Sequence, residues 1–182
     1  SEHLGTGGCG PDVGARRSMI RKKAARVVTW PMMLVGVLLL GPMIALAFGK
    51  AALGGDWWRA THRPTGLAPP AGAHAGAIVQ AYAARTFGWR GAFAVHTWLA
   101  AKPRDADGYT RYEVIGWQAR GGGSAVSISD ARGPDAEWYG AAPEVLRDLR
   151  GAEAEAVIAK LAAAAASYPY ATTYSAWPGP NS

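Results

Sequence analysis

Between Val27 and Phe48 the chain carries no charged residue. As a helix this run would span about 33 Å at ~1.5 Å per residue. The hydrocarbon core of a bilayer is about 30 Å thick, so the run predicts a single transmembrane helix over residues 27–48. Arg21, Lys22, Lys23 and Arg26 stand immediately before it, whereas Lys50 and Asp56 offset each other after it. The positive-inside bias then predicts a disordered basic tail, residues 1–26, in the cytoplasm. The rest of the chain would lie beyond the inner membrane, on the periplasmic or extracytoplasmic side. Trp30 and the Trp57-Trp58 pair suit interfacial anchors, Pro31 falls near the first turn, and Pro42 predicts a kink. Two other readings compete. A cleaved signal peptide would have a shorter apolar region of about 7–15 residues, and a soluble core helix is seldom apolar all round. Met19, directly before the basic run, reads as a plausible start, which would set residues 1–18 apart.

Charge excludes some functions. The formal net charge is +6, and most of the excess lies before the apolar run, as expected of a membrane-proximal basic tail. Beyond the run, Arg residues are scattered beside Asp and Glu with no basic stripe, so nucleic acid is not an expected partner. Cys9 is the single cysteine, which rules out an intrachain disulfide and a cysteine-based zinc site. The spacing of the four histidines fits no metal signature, and Gly121-Gly122-Gly123 lacks the Lys-Ser/Thr of a phosphate loop. No metal and no cofactor are expected.

Residues 49–77 are rich in Gly, Pro and Ala and read as a linker, leaving residues 78–182 as an extracytoplasmic domain. Ile78 to Arg85 reads as a strand. Ala92 to Ala100 alternates, with Phe93, Val95, Thr97 and Leu99 on one face and Ala94, His96 and Trp98 on the other. Asp107-Gly108 signals a hairpin turn, Tyr109 to Gln118 the returning strand, and Ala125 to Ser129 a further one. Pro143 to Leu149 reads as a short helix closed at Gly151, and Ala152 to Ser167 as a longer one with Val157 and Leu161 on its apolar stripe. The expected class is α+β: a small antiparallel meander of three or four strands followed by helices. The end at Trp177-Pro178-Gly179-Pro180-Asn181-Ser182 is abrupt, and the domain is expected to continue past it.

Several stretches resemble domain-of-unknown-function family 3750, a group of bacterial membrane-anchored proteins. They are the run from Tyr82 through Phe87-Gly88-Trp89-Arg90-Gly91 to His96-Thr97-Trp98, then Tyr112-Glu113-Val114-Ile115-Gly116-Trp117, then Tyr168-Pro169-Tyr170 and Trp177 to Ser182. Gly55-Asp56-Trp57 is similar too, so the resemblance covers roughly residues 19 to 182. The order of a strand-borne His, a sheet, helices and a nucleophile opening a further helix also distantly resembles circularly permuted papain-like proteins. Those include the NlpC-type relatives and lecithin retinol acyltransferase. That resemblance implies His96 as the base and Ser182, preceded by Asn181, at the nucleophile position, where the wider group has Cys. Serine starts near neutral and gains less than a thiol from a helix N-terminus, so slow acyl transfer, hydrolysis or binding without turnover would follow.

Such a base needs a nucleophile within about 2.6–3.2 Å and a third group to hold its ring. Glu113 or Tyr112 on the neighbouring strand is placed to be that group, but register is open. The plain alternative is that His96 bonds a core partner and Ser182 caps a helix. Trp98, Tyr112, Trp117 and Asn181 are the candidate binding residues, within a set of aromatics that either fills a core or lines a groove for an envelope lipid, glycan or peptide. The partners expected are therefore the lipid bilayer and one such ligand. Two functions stay open: an amide or ester hydrolase or acyltransferase, and a non-catalytic binding protein or accessory subunit whose Gly36 and Gly41 permit close helix approach.

Overall fold

The structure, a computed structural model, describes residues 13–49, 56–175 and 179, with only the backbone described over 13–29. The chain divides into two units, Ser1–Met43 and Ile44–Ser182. Helix α1 runs Val13–Ala47 and contains Pro31 and Pro42. Its stretch Trp30–Ala47 has mean hydropathy 2.0 and is long and apolar enough to cross a membrane. Helical backbone therefore starts well before the uncharged run, because charged residues such as Arg and Lys are good helix formers outside a bilayer.

The second unit is α+β. Strands β1 (Ile78–Arg85), β2 (Val95–Lys102) and β3 (Thr110–Val114) follow one another. A short helix α2 (Gly116–Arg120) precedes β4 (Val126–Ser129). Strand β5 (Glu144–Arg150) leads directly into helix α3 (Gly151–Ala166). The five-stranded sheet has the order β4-β3-β2-β1-β5, and every pair is antiparallel. The first four strands are a meander, but β5 returns to the far edge beside β1. The segment joining β4 to β5 must therefore cross a face of the sheet, and it carries Arg132, Asp135 and Trp138.

Two expectations are corrected here. Pro143 to Leu149 is not a helix: Glu144–Arg150 pairs with β1 from Ala83↔Glu144 to Ile78↔Arg150, with a register shift between Ala81 and Tyr82. Strand β1 is buried on both faces, and without β5 its outer edge would hold unpaired backbone groups. Gly151, expected to stop a helix, instead turns β5 into α3 at φ 56, with its N–H donated to Ala77 O at 2.9 Å. The second correction concerns Tyr109 to Gln118. The strand ends at Val114, and Trp117 lies on α2. At Gly116 a Cβ would collide with the ring of Tyr174, so the close approach of the chain after α3 requires glycine there.

The two faces of the sheet are covered differently. Helix α3 lies on one, packing Ala154, Val157, Ile158 and Leu161 against Val79, Ala101, Tyr112 and Leu149. The other face holds Ile78, Tyr82, Trp98 and Ala100, covered by Tyr109, Trp138 and, more loosely, Ala68, Ala71 and Tyr139. The segment read as a linker is tied into this cover. Asp135 Oδ2 accepts from Leu67 N at 2.6 Å and Ala68 N at 3.2 Å, Thr65 Oγ1 donates to Asp135 O at 2.8 Å, and Pro64 bridges Ala136. Tyr109 Oη donates to Pro69 O at 2.9 Å.

Candidate functional site

On β2 the side-chain period of two puts His96 and Trp98 on the same face, opposite Thr97 and Leu99. Trp98 is paired with Glu113 of β3, and Ala100 with Arg111. Glu113 is thus the diagonal neighbour of His96, within reach of long side chains. His96 Nε2 lies 2.8 Å from Glu113 Oε2, and Arg111 Nη2 donates to the same oxygen at 2.9 Å. The Arg111 and Glu113 side chains are 1% and 3% exposed and that of His96 12%. A buried carboxylate is costly unless paired, and here one oxygen is paired twice.

Burial pushes the His96 imidazole below its usual 6.5, outweighing the opposing pull of Glu113. Burial alone would raise Glu113, but the His96 bond and the Arg111 charge and hydrogen bond prevail and hold its carboxyl below 4.5. These directions describe a neutral imidazole donating Nε2–H to a carboxylate. Nδ1 is then the acceptor nitrogen, and it has no hydrogen-bond partner among the described residues.

Aromatic rings fix the imidazole from its faces. Trp138 stacks on His96 with centroids 3.6 Å apart and planes at 14°, and Trp98 lies 5.8 Å away at 28°. The Trp98 indole donates to Pro134 O at 2.7 Å, which locks it to the crossing segment. The Arg111 guanidinium lies over the Trp98 ring at 3.9 Å, and Arg132 over Trp138 at 5.6 Å. Such stacking suits a weakly hydrated guanidinium. Even so, Arg111 Nε and Nη1 and Arg132 Nη1 are buried without an acceptor among the described residues.

The expected site residues are thus distributed as follows. His96, Glu113 and Trp98 come together. Trp117, half exposed on α2, stacks toward Trp138 at 5.8 Å and joins the rim. Tyr112 does not join them, because it alternates with Glu113 and packs on the α3 face, so it cannot orient His96. Asn181 and Ser182 lie outside the described residues, as do Trp177 and Cys9. Arg111 was missed, although its spacing of two from Glu113 put both on one face. Arg132 had no signal in the sequence, and neither did the stack of Trp138 on His96. A cavity of about 400 Å³ lies against this part of β2 and β3, lined among others by Leu99, Tyr112, Leu161 and Tyr174 and touching His96 and Glu113. Among the described residues no group of three or more His, Cys, Asp or Glu is placed to hold a metal ion.

Residues 76–182 match the family described as Protein of unknown function (DUF3750). The chain belongs to that family. The matched region takes in every strand of the sheet, α3, and the His96–Glu113–Arg111 group. Comparison with curated proteins and with solved structures finds no match.

Proposed function

We propose that this is a membrane-tethered protein whose His96–Glu113 pair serves as a general base in hydrolysis or transfer of an amide or ester group at the cell envelope. The observation that carries this reading is the 2.8 Å contact between His96 Nε2 and Glu113 Oε2. It fixes one ring nitrogen, and the depressed pKa keeps the other unprotonated near neutral pH, as base catalysis requires. Glu113 would stabilise the imidazolium formed when Nδ1 takes a proton, and Arg111 would keep Glu113 ionised. The nucleophile in this reading is Ser182, preceded by Asn181. The basic run Arg21–Arg26, within α1 and ahead of its uncharged stretch, supports a cytoplasmic N-terminus with the sheet on the other side of the inner membrane.

The test is labelling of the full chain by a serine-directed fluorophosphonate. Labelling that is lost in both Ser182→Ala and His96→Ala supports the acyl-transfer reading. A folded chain that never labels removes it. A second reading, binding without turnover, is favoured by the 400 Å³ cavity and its largely apolar lining. It suits a lipid, a glycan or a peptide of the envelope, with Trp98 and Tyr112 among the lining groups. Saturable ligand binding with no labelling would favour it.

A further inference from the structure

One end of the second unit gathers exposed aromatic and basic groups that the candidate site does not use. Strands β1 and β2 are joined there by a loop with a short 3-10 turn, Gly88–Ala92. Trp89 and Phe93 are 56% and 61% exposed, and they meet edge to face at 6.3 Å. Arg90 lies over the Trp89 ring at 5.1 Å. The loop is held in place by Arg85 Nη1 donating to Gly91 O at 3.3 Å and Thr86 N donating to Ala94 O at 3.2 Å. Two large apolar side chains on a fixed support, directed at water, need a partner.

Three segments converge on this end. A cavity of about 450 Å³ is lined by Gly49, two residues past the end of α1, together with Arg85, Val95 and Gly140. Gly140 N in turn donates to Thr61 O at 2.9 Å, which places Trp57-Trp58-Arg59 within a few residues of the same spot. Trp57 and Trp58 are 61% and 66% exposed and also meet edge to face, at 5.8 Å. Tryptophan and arginine, with an apolar body and a polar or charged tip, suit the headgroup layer. Arg59 and Arg90 add positive charge, with Asp56 and Glu144 as nearby acidic groups.

We infer that this end of the sheet docks on the bilayer surface, with Trp89 and Phe93 in the acyl-headgroup boundary beside Trp57 and Trp58. The occupant is the lipid surface because the chain leaves its membrane-spanning helix two residues before Gly49. The inference thus rests on α1 being an anchor. Its consequence for the site is spatial: Val95 adjoins His96, so the site stands close to the lipid surface and a lipid-borne substrate would reach it without crossing open water.

The test uses the full chain, with Cys9→Ser, in vesicles of phosphatidylcholine and phosphatidylglycerol. An environment-sensitive dye is attached at Phe93→Cys, at Trp89→Cys as a second site, and at Asp107→Cys, roughly 20 Å away at the other end of β2. Doxyl groups on the lipid are expected to remove most of the emission at 93 and 89 and little at 107, while aqueous iodide does the reverse. If the chain floats with the vesicles yet 89 and 93 respond as 107 does, the docking inference falls and the anchor stands. If the chain does not float with them, the anchor reading falls and takes the inference with it.

Discussion

The two faces of the sheet solve the same burial problem by different means. One is closed by α3, a regular helix whose small and aliphatic side chains meet Val79, Ala101 and Leu149. The other is closed by irregular chain, and beneath that cover lie charges: Arg111, Glu113 and, nearby, the Gln80–Asp148 hydrogen bond at 2.9 Å. Tyr82 joins that second polar chain by donating to Gln80 Oε1 at 2.7 Å, and burial raises its pKa. A face needed only for stability would do well with aliphatic residues alone, since replacing buried ion pairs by apolar groups is often neutral or favourable. The contrast is therefore one of charge: the His96 face carries a buried ion pair where the α3 face packs aliphatic groups.

The largest test of that contrast is Glu113→Ala. It leaves Arg111, 1% exposed, without its ionic partner among the described residues, and should cost about 3–5 kcal/mol in denaturant unfolding. A cost below that of an ordinary surface change would mean the charges are hydrated and the contrast is false. On the helical face, Ala154→Leu inserts a larger side chain where Ala154 is fully buried. Overpacking there should lose about 1–3 kcal/mol without altering the protonation behaviour of His96, which NMR titration would read.

Asp135→Ala tests the irregular cover. Its carboxylate holds Leu67 N and Ala68 N, so its loss should cost about 1–3 kcal/mol and speed amide exchange at residues 65–68. Unchanged exchange there would show that the cover is held by packing alone. The next prediction concerns pH. Because the folded His96 pKa lies below the unfolded value of 6.5, the unfolded state binds the proton more tightly. That stability is present above 6.5 and is lost as pH falls through the folded pKa, at about 1.4 kcal/mol per tenfold difference in proton affinity. Glu113, held below 4.5, adds a second loss at lower pH of the same sign. His96→Asn should abolish the first loss and reduce the second, because the His96 bond helps hold Glu113 low while Arg111 remains. The smallest expected effect is Arg104→Ala, which breaks the exposed pair with Glu155 and should change stability by roughly 0.2–1 kcal/mol.

How much of this was legible depended on the face. Helix α3 was readable because Val157 and Leu161 recur at helical spacing along an Ala-rich run. The alternation of β2 placed His96 and Trp98 together, and the same period applied to β3 gives Arg111 with Glu113. Strand β5 was misread because Pro143 followed by Glu144 mimics a helix start, while Leu146 and Leu149 keep a spacing of three. Its strand character comes from the edge of β1, more than sixty positions away, and no local pattern carries that. Trp138 was visible as an aromatic, but its position over His96 depends on the path of the crossing segment. Helical spacing along one element could be read directly. Contacts made by a coil passing over a sheet could not.

The sheet order has a consequence for the order of assembly. As the chain emerges from its N-terminus, β1 to β4 can pair with near neighbours, in the manner of a hairpin series. The other edge of β1, with Ile78, Val79 and Tyr82 all buried in the finished fold, stays open until Glu144–Arg150 arrives. During that interval the sheet exposes a long apolar edge, the kind that pairs with the wrong strand or with another chain. Closing β5 onto β1 should therefore be the late, slow step, and a growing chain would gain from a companion that shields that edge until residue 150 is free.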